Sequence, residues 1–169
     1  LRGLSSRPNL AQPQGISSDG QYAFVWDGSS YLLMNLQDNT GIALPLTGEN
    51  NTQGSGLWAD TMPLVTYSGV DSNGSTALSV IDAPSQNSVT VPSGRSVPIL
   101  PITWIPDTEY LIFRAATGDV LLADVSCVAT SCTNNPFDSS IAIAPSSANH
   151  IQVTDTYLFY VDGEQLIAA

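Results

Sequence analysis

Short runs of alternating apolar and polar residues recur along the whole chain. In the segment 22–27, Tyr22, Phe24 and Trp26 recur at the period of two that predicts a β-strand. Turn sequences rich in glycine and aspartate follow such runs, as in the Asp-Gly-Ser-Ser of 27–30. No stretch shows sustained helical periodicity with capping signals, and 13 glycines and 11 prolines interrupt the chain throughout. The pattern therefore predicts an all-β protein.

The predicted strands occur as hairpins, each followed by a further strand where the chain is long enough. Glycine-containing turns at 27–30, 71–74 and 117–119 would connect the two strands of a hairpin. The strands are predicted at 22–26, 31–36, 42–46, 64–67, 77–81, 88–91, 110–114, 120–125, 141–143, 157–161 and 165–167.

The order of turn and strand repeats along the chain. Each repeat carries an aspartate in a turn, with spacings of 41, 47 and 48 residues, at Asp19, Asp60, Asp107 and Asp155. A period of this size is typical of repeat architectures. We predict an extended arm or linker at 1–15, or a strand donated to a neighbour. A repeat domain would then cover 16–169, with modules of about 16–55, 56–100, 101–148 and 149–169.

Similar modules built from short strands favour β-propeller-like blades over a sandwich. A solenoid is the structural competitor, and a sandwich whose modules are alike by coincidence is the simplest alternative. The modules are predicted to be four-stranded and antiparallel, and there are roughly three and a half of them. A propeller removes its exposed strand edges only when about four to eight blades close the ring. The sequence thus predicts part of a larger propeller, a propeller completed by a partner chain, or an open arc.

Two segments resemble the repeat signature of TolB-like propellers, of the WD type. The first is the Ser-Asp-Gly-Gln-Tyr-Ala-Phe of 18–24, and the second is 104–113 with Trp-Ile-Pro-Asp and Tyr-Leu-Ile-Phe. The resemblance implies a blade in which the aspartate turn joins the innermost strand to the next. In this chain threonine replaces the glycine that follows the aspartate at Thr61, Thr108 and Thr156. Because propellers support many unrelated functions, the resemblance implies a fold and no activity.

The charge of the chain excludes some partners. Four arginines, no lysine and 15 acidic residues give a formal net charge of −11. This field repels the phosphates of nucleic acids, whose binding depends on lysine and arginine contacts. The apolar runs are far shorter than the ~20 residues of a membrane-spanning helix. We therefore expect neither a nucleic-acid-binding nor a membrane-spanning protein.

The cysteines and two glycosylation sequences bear on the compartment. Cys127 and Cys132 are too few for a zinc site, and they lack the Cys-x-x-Cys spacing of a redox motif. A small disulfide or two free thiols remain, and a disulfide would place folding outside the cytosol. Asn50 and Asn73 begin Asn-x-Ser/Thr acceptor sequences in predicted loops. We expect an extracytoplasmic protein, periplasmic, cell-surface or secreted.

A search for catalytic and metal-binding groups gives weak candidates. His150 is the only histidine that could serve as a base for a serine nucleophile, and no Gly-x-Ser-x-Gly sequence accompanies it. The repeated aspartates are expected to bond turn backbone rather than to catalyse. Asp71 to Gly74 partly resembles a calcium loop but lacks the distal glutamate. We predict no enzyme activity and no cofactor, with calcium as a weak possibility.

These observations favour a non-catalytic scaffold that binds a protein partner or further copies of itself. The loops at 71–75 and 127–138 differ most between modules, so partner contacts are expected there. The candidate contact residues are Trp26, Asp71, Asn73 and Phe137. Trp58 and Trp104 precede module aspartates, which indicates repeated packing between modules. The alternative is a propeller fragment of a larger secreted hydrolase, either a glycan-active enzyme or a peptidase.

Overall fold

The computed structural model describes residues 12–27, 30–47, 56–92, 99–154 and 157–169. These residues form β-strands and two short 3-10 helices, and they include no α-helix. The strands are β1 (Gln12–Ile16), β2 (Tyr22–Trp26), β3 (Ser30–Asn35), β4 (Gly41–Thr47), β5 (Gly56–Trp58), β6 (Leu64–Val70), β7 (Thr76–Asp82), β8 (Ser88–Pro92), β9 (Leu100–Trp104), β10 (Tyr110–Arg114), β11 (Val120–Asp124), β12 (Ile141–Ala144), β13 (Ala148–Val153), β14 (Leu158–Asp162) and β15 (Gln165–Ala168). The predicted all-β class is confirmed.

Consecutive strands pair antiparallel and form four meanders. The first meander is β1 to β4, the second β5 to β8, the third β9 to β12, and the fourth the three strands β13 to β15. A single residue pair, Thr47 with Val70, links β4 to β6 and joins the first two meanders into one eight-stranded sheet. Each predicted hairpin is therefore present as part of a larger antiparallel sheet.

The first strand of each meander is the element that the hydrophobic pattern missed. β1 contains Pro13 and Gly15, β5 has only three residues, and β9 contains Pro101, so none shows a clear alternation. Residues 12–15 of the predicted arm at 1–15 belong to β1, where Gln12 pairs with Trp26 of β2, and residues 1–11 lie outside the described residues. By contrast, the prediction of 110–114 agrees with β10 at both ends.

The meanders stack face to face, and apolar clusters fill the spaces between them. β7 illustrates the arrangement: Ala77 and Ile81 contact the first meander, whereas Leu78 and Val80 contact the third. All seven residues of β7 are buried because meanders cover both of its faces. We call the clusters between consecutive meanders the first, second and third interfaces.

Each interface combines buried residues from two meanders. The first interface contains Phe24, Trp26, Tyr31, Leu33, Leu44, Leu46, Val65, Tyr67, Ala77, Ile81 and Ala83. The second contains Ala59, Leu64, Leu78, Val80, Ile99, Trp104, Leu111, Phe113, Ala123, Val125, Val128 and Phe137. The third contains Ile112, Val120, Ala144 and Ala148, with partly buried aliphatic side chains and Tyr160 around them. Complete burial of one such side chain contributes about 1.5–3 kcal/mol.

A disulfide closes part of the loop between β11 and β12. Cys127 and Cys132 are bonded, with sulfur atoms 2.02 Å apart, which confirms the predicted pair. The 3-10 helices of this loop, Ser126–Thr130 and Pro136–Ser139, place Val128 and Phe137 in the second interface. Within the described ranges, none of the helices has the length and apolar character needed to cross a membrane.

Candidate functional site

The last residue of each meander's first strand occupies an equivalent position. Trp58 is opposite Val65, Trp104 opposite Leu111, and Val153 opposite Leu158. In the first meander, Ile16 is opposite Ala23. In all four meanders the next residue donates its backbone N–H back across the turn, from Ser17, Ala59, Ile105 and Thr154. The repeat thus places Ile16, Trp58, Trp104 and Val153 at equivalent positions in the four meanders.

The two tryptophans of this series pack between meanders, as predicted. The indole Nε1 of Trp104 donates a hydrogen bond of 3.0 Å to the carbonyl oxygen of Leu57 in the second meander. Trp58 packs against the first interface and lies on Gly15, where an added Cβ would come within 2.8 Å of its ring. The Nε1 of Trp58 is buried and has no hydrogen-bond partner among the described residues. Gly15 therefore provides the space that this ring occupies.

Val153 borders a cleft in the third interface. The cleft has a volume of about 310 Å³ and lies between the third and fourth meanders. Ile105, Ile112, Leu122 and Ile143 line one side, and Val153 and Leu158 line the other. Thr154 and Tyr157 lie at its edge, and the Tyr157 side chain is 55% exposed. Sequence reasoning missed this site, although aligning the modules on their tryptophans would have revealed the smaller residue in the fourth.

The repeated aspartates lie in turns but differ in their bonds. The carboxylate of Asp19 accepts hydrogen bonds from the Ser17 hydroxyl at 2.6 Å and from the Gln21 N–H at 3.0 Å. The Ser17 hydroxyl and then the Gln21 N–H hold the pKa of Asp19 below its ordinary value. For Asp60 and Asp107 the described part of the chain shows no hydrogen bond to the carboxylate. Asp155 lies outside the described residues.

In the third meander a threonine replaces the aspartate in bonding the turn. The Thr108 hydroxyl donates to the Ile105 carbonyl at 2.9 Å and accepts the Tyr110 N–H at 3.2 Å. Asp107 has a φ of 57°, in the left-handed region that aspartate tolerates. The expectation that each module aspartate bonds its turn backbone therefore applies to Asp19 and not to Asp107.

The loop between β6 and β7 is bonded internally by Asp71. Its carboxylate accepts the backbone N–H groups of Asn73 at 2.8 Å and Ser75 at 2.9 Å. The Ser75 N–H, and after it the Asn73 N–H, lowers the pKa of Asp71. The Asn73 side chain is exposed, so this acceptor sequence is accessible, whereas Asn50 lies outside the described residues. Among the described residues, no three acidic, histidine or cysteine side chains come together as a metal site.

Two of the predicted contact residues are core residues in the structure. Trp26 is 5% exposed and its ring centre lies 4.8 Å from that of Tyr31. Phe137 is 7% exposed and packs edge to face against Phe113 at 5.3 Å. Large rings gain more from burial in an interface of their own chain than from exposure in a loop. Partner contacts are therefore not supported at these two positions, while Asp71 and Asn73 remain on the surface.

His150, the only histidine that the sequence offers as a base, is an exposed residue of β13. It has a φ of 51° and falls where the pairing of β13 with β14 shifts register, between Asn149 and Gln152. Such irregularities interrupt the ladder and turn a side chain outward. The position of His150 is thus explained by the geometry of the strand.

No family model matches the chain, and a search of the curated proteins found no match either.

Proposed function

We propose that the chain is a non-catalytic β-propeller-type scaffold that mediates protein–protein assembly outside the cytosol. Three consecutive face-to-face interfaces between antiparallel meanders support a blade-like series. The resemblance of 18–24 and 104–113 to TolB-like repeats agrees with this arrangement, and the disulfide is compatible with an oxidising compartment. The observation that carries the proposal is a face of the fourth meander against which no other meander packs within the described residues.

That face is formed by alternate residues of β14 and β15. Leu158 and Tyr160 point toward the third interface, so Phe159 and Val161 lie on the opposite face. Ala168 is opposite Phe159 and Leu166 is opposite Val161, which adds both to this face. Leu166 is 72% exposed.

The same positions in earlier meanders are covered by the next meander. Phe24, Ile112 and Phe159 hold equivalent positions in the first, third and fourth meanders. Each comes directly after the residue that pairs with the last residue of the meander's first strand. Phe24 is 0% exposed and Ile112 is 1% exposed, whereas Phe159 is only half-buried. An apolar sheet face of this kind favours a further sheet as its neighbour.

The edge of β15 provides backbone groups for such a neighbour. Leu158 and Ala169 exchange two hydrogen bonds, of 3.0 and 2.9 Å, so they form a hydrogen-bonded pair. In an antiparallel ladder, hydrogen-bonded pairs alternate with pairs that are not hydrogen-bonded. Leu166 and Ala168 belong to the second kind, so their N–H and C=O groups point away from β14. Within the described ranges no strand pairs with this edge. In the other three meanders a fourth strand occupies the equivalent place.

Native mass spectrometry of the purified chain tests the proposal. We expect species heavier than a single chain of 17.8 kDa at micromolar concentration. Leu166→Lys adds a charge at the open edge and should convert these species to single chains. Gln165→Lys adds the same charge to a neighbouring residue whose backbone bonds β14, so it should leave them intact. Single-chain masses for the unmodified protein, or equal effects of the two variants, would contradict assembly through this edge.

A further inference from the structure

We propose that the cleft in the third interface binds a small uncharged aromatic compound. This inference goes beyond the scaffold function and uses a different part of the fourth meander. The outer face of that meander carries Phe159 and Leu166, whereas the cleft lies on the face that carries Leu158. A ligand in the cleft and a partner on the outer face would therefore not compete for the same surface.

The internal repeat indicates which chemical group fits the cleft. In the first and second interfaces, the end of the first strand supplies an indole ring, from Trp58 and Trp104. Val153 stands at that position in the third interface and supplies two methyl groups instead. The facing residue changes as well, from Ala59 against Trp104 to Ile105 beside Val153. The larger Ile105 side chain fills only part of the volume that the missing indole ring leaves, because a cleft of about 310 Å³ remains.

The lining of the cleft suits a flat ring. Ile112 and Leu122 from the third meander face Val153 and Leu158 from the fourth, so the walls are aliphatic. Ligand sites usually have volumes of about 300–1,000 Å³ and mostly apolar walls with a few polar groups at the edge. At this edge the Thr154 hydroxyl lies beside Tyr157, whose carbonyl accepts a hydrogen bond of 3.3 Å from it. A one- or two-ring compound matches both the volume and the walls.

The charge of the protein restricts the ligand further. Fifteen acidic residues against four arginines give a net charge of −11, so an anionic aryl compound is repelled over several ångströms. Among the described residues, no basic side chain lines the cleft to offset this repulsion. An uncharged aromatic ring avoids the repulsion and keeps the apolar contacts.

Titration of the intact chain with indole, followed by NMR, tests this site. We expect saturable shifts of the methyl signals of Val153 and Leu158, with a dissociation constant on the order of 1 mM for so small a probe. Intermolecular NOEs should connect the indole ring to these methyl groups. Indole-3-acetate should bind several-fold more weakly because of its charge.

A variant that restores the ring of the other interfaces sharpens the test. Val153→Trp should weaken indole binding at least tenfold and raise the unfolding temperature by about 3 °C, the shift expected when a space in a chain of this size is filled. Ile16→Trp is the matched control, because Ile16 holds the same register position but is 56% exposed. It should change neither binding nor stability appreciably.

The outcomes separate this site from the proposed assembly. Indole binding without NOEs to Val153 and Leu158, unchanged binding in Val153→Trp, or no saturable binding would each overturn the proposal. If Val153→Trp does not fold, the NOEs in the unmodified protein decide the question alone. Failure of Leu166→Lys to alter the mass distribution would bear on assembly and leave the cleft unaffected.

Discussion

The first and third interfaces each join two consecutive antiparallel meanders, yet different side chains fill them. In the first, Tyr31 stacks on Phe24 at 5.1 Å and meets Tyr67 edge to face at 5.2 Å. In the third, Ile112 and Val120 pack against small alanines, and a cleft remains. The backbone repeat therefore sets how the meanders stack, whereas side-chain volume decides whether the space between them is closed.

This difference has an energetic consequence. Each buried aromatic ring removes about 150–250 Å² from water, and close ring pairs add about 0.5–1.5 kcal/mol beyond that burial. The third interface has fewer such contacts, so we expect the fourth meander to open at a lower free energy than the first two. We therefore expect the region with the cleft to be the less stable region.

The largest expected effect comes from truncating equivalent residues in the two interfaces. Phe24 and Ile112 hold the same register position and are both fully buried. Phe24→Ala should lower the free energy of unfolding by about 4 kcal/mol, and Ile112→Ala by about 2 kcal/mol, because Ile112 already borders a cleft. Urea denaturation with a spectroscopic probe measures both.

Hydrogen exchange shows which strands lose stability in each variant. Ile112→Ala should raise exchange mainly in β14, and Phe24→Ala should raise it in β2, β3 and β6. Equal losses of stability, or the same exchange pattern in both variants, would contradict the assignment of a tight and a loose interface.

A smaller effect separates the two tryptophans. Trp104 donates its N–H to Leu57, whereas the N–H of Trp58 and the hydroxyl of Tyr67 are buried without partners in the described part of the first interface. Burial accordingly raises the pKa of Tyr67 above its ordinary value. Trp104→Phe should cost about 1 kcal/mol more than Trp58→Phe, because only the former removes a hydrogen bond. Thermal and urea unfolding of both variants check this difference, and the opposite order would refute it.

The smallest effect concerns the turns of the first and third meanders. The Asp19 pKa is lowered, so its stabilising contribution is present above the ordinary value of 3.8 and is lost as pH falls through the lower folded value. Asp19→Asn should cost less than about 1 kcal/mol at pH 6, because an exposed group is screened by solvent. The difference from the unmodified protein should shrink as the pH falls below 3.8.

Asp107→Asn, in the equivalent turn of the third meander, is the control for Asp19→Asn. Its carboxylate is exposed and accepts no hydrogen bond among the described residues, and asparagine tolerates the same positive φ. Stability measured at both pH values should be unchanged. A pH-dependent loss in Asp107→Asn would show that net charge rather than turn bonding accounts for the Asp19 effect.

Much of the fold follows from local signals. Apolar runs and glycine turns predicted β10, β11 and most other hairpin strands, because a short apolar run bounded by turn residues is typical of a strand that is covered on both faces. The same signals failed for β1, β5 and β9, where proline, glycine or short length hides the alternation, and for β13, whose pairing shifts register between Asn149 and Gln152. Pairing with the adjacent strand, rather than local sequence, holds these segments extended.

The sequence by itself determined the all-β class, because strand and turn signals are local, and the repeat, because the same order of residues recurs along the chain. The spacing of Cys127 and Cys132 left a disulfide and two free thiols open, and the structure shows the disulfide. Only the tertiary structure placed Trp26 and Phe137 in the core, because burial depends on residues of other strands. The same holds for the cleft, where the volumes of Ile105 and Val153 combine across two meanders. A local pattern shows whether a residue is apolar. Whether its side chain fills the space between two meanders or leaves a cleft depends on the residues that the fold places against it.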